Sequence, residues 1–328
     1  MAKERIVSGM RPSGKLHLGN YLGALKNWVQ LQEDYECFYF VADWHALTTG
    51  YADTAQIRAW IREIAIDYLS AGLDPERSVL FIQSRVPEHA ELHLLLSMMT
   101  PLGWLERIPT YKEQQQELKD RDLSTYGFLG YPLLQSADII MYKAHWVPVG
   151  VDQVSHIELT REVVRRFHHL YKVEIFPEPQ PKLTEVPKLQ GLDGRKMSKS
   201  YDNVIYLSDS AADVTGKVKT MMTDPARQRR SDPGDPDICP VFDLHRIYST
   251  AAERQEVAQG CRTAGIGCLD CKGILIRHML EDLGPLHEKR AYYAAHPDEA
   301  MQVLVAGSER ARQVAQQTMA QVRDAVHI

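Results

Sequence analysis

Two short stretches, far apart in the chain, carry the residues best suited to chemistry. The first, residues 10–23, reads MRPSGKLHLGNYLG. An apolar strand starting at Arg5-Ile6-Val7 breaks at Gly9 and at Pro12-Ser13-Gly14, and helix-forming sequence resumes at His17-Leu18-Gly19-Asn20. A helix start offers unpaired backbone N–H groups and the positive end of the helix dipole, a natural seat for a phosphate. His17 could donate a hydrogen bond to a phosphate oxygen, and Gly19 would leave room for a flat ring against the helix backbone. The spacing is not the G-x-G-x-x-G of a dinucleotide turn, and taken alone it describes no more than a capped helix. The second stretch, residues 194–200, reads GRKMSKS. It sets Lys196 and Lys199 on a glycine-led loop, as point charges able to close over a polyphosphate.

A third group is Cys239, Cys261, Cys268 and Cys271, spaced C-x21-C-x6-C-x2-C. The N-terminal MAKERIV has no apolar stretch long enough for a signal or a membrane span, which points to the cytoplasm. Thiols stay reduced there, so four clustered cysteines read as a metal site rather than as disulfides. Tetrahedral sulfur ligation suits structural zinc or an iron–sulfur cluster. Gly265, Gly267 and Gly273 read as positions that let the backbone wrap around it.

The elements that position these residues follow from the hydrophobic pattern. Residues 37–42 form a continuous apolar run, as expected of a buried parallel strand, and end in Asp43-Trp44-His45. Ligands bind at that edge of an open α/β sheet; His45 reads equally as a ligand contact or as support for one. An amphipathic helix over 55–71 and a strand over 78–83 complete a right-handed parallel half. Helical segments over 88–99, 104–116 and 117–122 then interrupt the alternation. The apolar helix over 131–141 holds Asp138 in its middle, and a buried carboxylate needs a partner, either Lys143 or a ligand N–H. The strand over 146–149 leads into Gly150-Val151-Asp152-Gln153, a second strand–turn–helix whose Asp152 and Gln153 would look into the same pocket as His17. His156, Glu158 and Arg161 indicate only a polar helix face. The proline-rich segment 177–181 reads as a stiff connector, and the basic break over 224–234 as either a phosphate-contacting loop or a solvated turn.

At 328 residues, 44% hydrophobic and 25% charged, the chain is long enough for about two domains. Its net charge of −5 leaves nucleic-acid contact to local basic patches. The expected fold is α/β: a Rossmann-type doubly wound parallel sheet with a helical insertion at about 88–122, followed by an all-helical C-terminal domain. The expected divisions are 1–185 for the sheet domain, 186–208 for the lysine loop and linker, and 209–328 for the helical domain with the four cysteines and the C-terminal helix.

HLGN and KMSKS together resemble the two signatures of class I aminoacyl-tRNA synthetases. With VADWHALTT, PVGVDQVSHIELTR and TDPARQRRSDPG in the same order, the chain is similar over about its whole length to the bacterial tryptophanyl-tRNA synthetases. That resemblance implies ATP-dependent activation of L-tryptophan, transfer to the terminal ribose of tryptophan tRNA, Mg²⁺ with the ATP, and a homodimer with contacts in the insertion. It implies catalytic roles for His17, Asn20, Lys196 and Lys199. It implies an ATP site of Arg11, Pro12, Ser13, Gly19, Asn20, Gly150, Val151, Asp152, Val186, Lys196, Met197, Ser198, Lys199 and Ser200. Asp138 matches the aspartate that accepts the indole N–H, and Tyr131, Gln153 and His45 match the amino-acid pocket. Gln135 and Val7 belong to the same pocket but stand where many members have methionine and some have phenylalanine. A subset of the family carries a [4Fe–4S] cluster on a closely similar cysteine pattern. With Pro240 following Cys239, this makes [4Fe–4S] the expected occupant and structural Zn²⁺ the alternative, in a domain that reads the anticodon. Tyrosyl-tRNA synthetases share the fold and signatures but are disfavoured by the pocket segment and the DPARxRR loop. A catalytically silent RNA- or partner-binding paralogue is disfavoured by intact His17, Lys196 and Lys199.

Overall fold

The computed structural model describes residues 3–117, 122–183 and 189–328. In chain order, β1 (Arg5–Met10) leads to the short α1 (Leu18–Asn20), a π-helical turn and α2 (Lys26–Leu31). Next, β2 (Glu36–Val41) is followed by α3 (Asp43–Gly50) and α4 (Ile57–Ala71). After β3 (Ser78–Ile82) come α5 (Glu88–Ser97), α6 (Leu102–Glu106), α7 (Pro109–Glu117) and α8 (Tyr126–Met141). The alternation ends with β4 (Trp146–Val149), α9 (Val154–Tyr171) and β5 (Gln180–Leu183). Five helices follow: α10 (Ala211–Thr220), α11 (Pro240–Tyr248), α12 (Ala251–Arg262), α13 (Cys268–Ala295) and α14 (Pro297–Val326).

The five strands form one parallel sheet in the order β3-β2-β1-β4-β5, with Val7 opposite Phe38 and Phe40 opposite Phe81. The chain builds outward from β1 in one direction and then in the other, so β1 and β4 flank the switch point where such sheets bind ligands. β2 is apolar throughout because it is covered on both faces. Tyr39 stacks on Trp28 on one face, at 4.6 Å between ring centroids, while Phe38 stacks on Tyr142 on the other, also at 4.6 Å. The proline-rich segment is a connector only in part: Gln180–Leu183 is the edge strand β5, with Pro181 opposite Val147. Proline is tolerated there because an edge strand has one side free of ladder bonds.

The chain divides into two compact units. One comprises residues 3–14, 24–183 and 296–328; the other comprises 15–23 and 189–295. This division differs from the sequence expectation at both ends. The C-terminal helix α14 belongs with the sheet, and the HLGN helix α1 belongs with the helical unit. The reason at α14 is local. A Cβ on Gly307 would lie 1.8 Å from the Leu80 carbonyl oxygen, so only glycine lets the helix cross β3 this closely. The neighbouring Ser308 Oγ accepts from the Ile82 N–H at 3.2 Å, satisfying a donor near the end of the edge strand. Arg323 clamps Glu91 bidentately at 2.6 and 2.7 Å, fastening α14 to α5. In the helical unit, Leu18 N–H donates to Ile205 O at 2.8 Å and Leu207 N–H to Leu16 O at 3.0 Å, so α1 is held by the segment that follows KMSKS.

Candidate active site and thiol cluster

The sheet unit places Arg11, Pro12 and Ser13 just past β1, and Gly150, Val151 and Asp152 just past β4. A Cβ on Gly150 would lie 2.7 Å from Asp152 Oδ1, so the turn needs glycine there to hold that carboxylate close. Gln153 Nε2 donates to Asp152 Oδ2 at 3.1 Å. Val7 is buried in β1, Gln135 is half-buried on α8, and the buried Tyr131 meets Thr110 Oγ1 at 3.0 Å. Thr110 in turn meets His156 Nε2 at 2.6 Å, so His156 is a buried part of this network and not one of a polar surface face. Burial, with Arg11 and His45 nearby, holds the His156 imidazole down at about 4.

Asp138 is 1% exposed, and its partners within the protein are three side chains, none of them Lys143. Oδ2 receives His45 Nε2 at 2.7 Å, Oδ1 receives His89 Nδ1 at 2.6 Å, and Gln83 Nε2 reaches both oxygens at 2.8 and 3.0 Å. Lys143 points elsewhere and donates to Gln321 Oε1 at 2.6 Å. Burial opposes ionisation of Asp138, but the hydrogen bonds from His45 and His89 outweigh it and hold the carboxyl at about 2. His89 is itself fixed by Tyr142 OH at 2.7 Å from its Nε2. Gln83 and His89 carried no sequence signal, because a glutamine ending a strand and a histidine on an apolar helix are ordinary in isolation.

The helical unit holds His17, Gly19, Asn20 and the lysine loop. His17 is the N-cap of α1: its Nδ1 accepts from Gly19 N–H at 3.1 Å, while Asn20 Oδ1 accepts from His17 N–H at 3.1 Å. With Nδ1 accepting, the ring proton sits on Nε2, leaving that N–H as the donor. Burial first, and then the Lys199 charge, lower His17 to about 4, so it is a neutral donor near pH 7. A Cβ on Gly19 would lie 2.9 Å from the His17 ring, so this glycine first makes room for its own cap. In the lysine loop Lys196 and Ser200 are exposed, Ser198 and Lys199 half-buried, and Met197 buried. Asn203, 2% exposed and missed by motif reading, shapes the loop. Its Nδ2 donates to Asp193 Oδ1 at 2.6 Å and Lys196 O at 3.1 Å, and its Oδ1 accepts from Ser198 N–H at 2.8 Å. Gly194 adopts φ +80°, the left-handed turn that starts the loop. Val186 and part of the 117–122 segment lie outside the described residues.

All four cysteines of the C-x21-C-x6-C-x2-C pattern line one cavity, together with Asp224, Arg227, Val241 and Ile266. They come from helix ends: Cys239 is the N-cap of α11, Cys261 lies in the last turn of α12, and Cys268 and Cys271 are in the first turn of α13. Burial, followed by the three neighbouring thiols, pushes Cys271 up to about 12. Its sulfur lies 3.3 Å from His245 Nε2. Among the described residues, no three His, Cys, Asp or Glu side chains converge on the shell of a single ion. Pro240 occupies the first turn of α11, where its missing N–H costs nothing, so its place after Cys239 needs no metal to explain it. Gly273 lies inside α13 beside open space and takes no part in wrapping the site. The basic 224–234 segment is not wholly a surface loop: of its three arginines, Arg227 turns inward while Arg229 and Arg230 are exposed.

The sequence profile of the family described as tRNA synthetases class I (W and Y) matches residues 2–281. The chain belongs to this family. A tryptophan–tRNA ligase from Thermotoga maritima is 54% identical over 99% of both chains, and one from Ralstonia nicotianae is 48% identical over 99% of both. The tryptophanyl-tRNA synthetase of Campylobacter jejuni, solved in complex with ADP and tryptophan, superposes with a TM-score of 0.87 at 32% identity, covering 99% of this chain and 100% of that one. Within the family, the chain is a member of the tryptophan–tRNA ligases.

Proposed function

We propose that the chain activates L-tryptophan with ATP and transfers it to the terminal ribose of tryptophan tRNA, the reading carried by full-length identity to tryptophan–tRNA ligases. In the first step a tryptophan carboxylate oxygen bonds to the α-phosphorus of ATP and the bond to the bridging oxygen breaks, releasing pyrophosphate. In the second, a tRNA ribose hydroxyl attacks the activated acyl carbon, releasing AMP. No protein nucleophile is required, so catalysis is positioning and charge stabilisation. The His17 Nε2–H is a neutral donor for a phosphate oxygen, and Lys196 and Lys199 supply charge to the leaving pyrophosphate. Mg²⁺, carried on the nucleotide phosphates, neutralises part of their charge. Arg11, Pro12, Ser13, Gly19, Asn20, Gly150, Val151, Asp152, Val186, Met197, Ser198 and Ser200 complete the ATP site in this reading.

Asp138 accepts the indole N–H, with His45, Tyr131, Gln135, Gln153 and Val7 around the ring. Three side-chain donors hold the carboxylate in one orientation. An ionised carboxylate has about four lone-pair sites, and Gln83 Nε2 takes two of them, so an indole N–H would replace one of the Gln83 contacts. A pocket that binds a substrate N–H rejects analogues lacking it, so selection needs no editing domain.

The four thiols fit a metal centre because three separate helix ends bring them to one cavity. Cys239, Cys261, Cys268 and Cys271 would hold a [4Fe–4S] cluster, with zinc as the alternative. The centre would brace the helical unit for reading the anticodon. Support for RNA contact comes from an open cleft in the same unit, lined by Phe242, Arg246, Arg254, Arg262, Gln255 and Gln259. Guanidinium, aromatic and amide groups suit unpaired bases. A second copy of the chain docks on α5 and α6, where Leu94, Met98 and Leu102 are exposed. Among the described residues no helix is long and apolar enough to cross a membrane. Tryptophan-dependent ATP–pyrophosphate exchange, with tyrosine and phenylalanine as controls, tests the whole reading. Exchange driven by tyrosine, or by neither, would refute it.

A further inference from the structure

Arg227 is 8% exposed, yet its hydrogen-bond partners are two backbone oxygens and a thiol rather than a carboxylate. Its Nη2 donates to the backbone oxygens of Arg230 at 3.0 Å and Ile266 at 2.6 Å. Its Nη1 faces Cys261 Sγ at 3.8 Å, and its buried Nε has no partner. Asp224, also buried, is engaged by the backbone N–H groups of Ala226 at 2.8 Å and Asp235 at 2.7 Å. A guanidinium does not shed its proton, so burying one without an anion is costly. The same cavity holds the Asp224 carboxylate, which is taken up by backbone N–H groups, and the four thiols, which together can supply further negative charge. Four thiolates around a doubly charged zinc or iron–sulfur core leave a dianion.

We infer that Arg227 is the buried counter-charge of an anionic four-thiolate metal centre, a positioning residue that sets how tightly the centre is held and how readily it accepts an electron. The inference rests on the metal-centre reading above. It explains why one arginine of the TDPARQRRSDPG run turns inward while Arg229 and Arg230 face solvent. It also explains the packing around it: a Cβ on Gly234 would lie 3.0 Å from Arg227 Cδ and 2.9 Å from Cys261 Sγ, so a larger residue would crowd both the arginine and the thiol.

Full-length wild-type protein, Arg227→Lys and Arg227→Met, purified anaerobically, should be compared for metal and acid-labile sulfide content, for the rate of metal loss to a chelator, and for midpoint potential by dithionite titration. Retained tryptophan-dependent exchange marks a variant as folded. Arg227→Met should weaken metal retention by about 10- to 100-fold, the usual cost of removing an outer-shell partner. Its midpoint potential should fall, because the added electron loses a compensating cation, whereas Arg227→Lys should stay near the wild-type potential. If the centre is zinc, the retention comparison decides alone. Equal damage in both variants would show that Arg227 serves only as a hydrogen-bonding strut and would overturn the inference. Unchanged retention in Arg227→Met, or wild-type protein that binds neither metal, would overturn it as well.

Discussion

Asp138 in the sheet unit and Arg227 in the helical unit are both buried single charges, but they are compensated differently. Asp138 is met from three directions by His45, Gln83 and His89, so the fold alone keeps it ionised. Arg227 meets two backbone carbonyls and a thiol, and one of its N–H groups meets nothing. The first arrangement is complete within the protein, its two oxygens contacted four times by three side chains. The second would be completed by the anionic centre proposed beside it. A charged residue whose partners are all protein can be understood from the chain; one whose partners are incomplete identifies what the chain must acquire.

The largest effect should come from the lysine loop. Lys199→Ala is expected to slow tryptophan activation by roughly 10²- to 10³-fold, as when one preorganised charge-stabilising donor is lost, while tryptophan binding stays nearly constant. Single-turnover rates set against equilibrium binding measure this; equal losses in both would make the loop a ground-state clamp. A smaller effect is expected at the sheet. Asp138→Asn should reduce selection of tryptophan over phenylalanine by about 1–3 kcal/mol, the contribution of a hydrogen bond to a charged group. An unchanged ratio of kcat/KM for the two amino acids would remove Asp138 from recognition.

The smallest effects should appear in the pH dependence of stability. His17 and His156 are both depressed from 6.5 to about 4, so the unfolded chain binds their protons more readily. Stability should therefore fall as pH drops from 6.5 toward 4. Asp138 has the opposite kind of group but the same direction: its folded value of about 2 lies below the ordinary 3.8, so its contribution is present above 3.8 and is lost as pH falls toward 2. Denaturant midpoints measured from pH 7 downward should show the histidine-linked loss first, and a flat profile between 6.5 and 4 would contradict the burial of the two imidazoles.

Much of the fold was legible because its signals are local. The run from Cys37 to Val41 announces a doubly covered strand, and HLGN and KMSKS announce a capped helix and a glycine-led loop within a few residues each. What escaped depends on contacts between distant elements. The partners of Asp138 come from α3, from the end of β3 and from α5, and no spacing links them. Arg227 sits in a turn-rich basic run whose composition describes a surface, and only the carbonyl of Ile266 and the thiol of Cys261 draw it inward. The place of α14 was hidden for the same reason, since Gly307 and Ser308 have meaning only against the backbone of β3.

The most direct test of the division of labour between the two regions is Cys268→Ser, measured for both tryptophan-dependent pyrophosphate exchange and tRNA charging. Activation is assigned to the groups around Asp138, His17 and the lysine loop, and the thiol centre to holding α11, α12 and α13 in shape for the proposed RNA contact. The account predicts loss of bound metal and impaired charging with exchange nearly intact; equal loss of exchange and charging in this variant would contradict it.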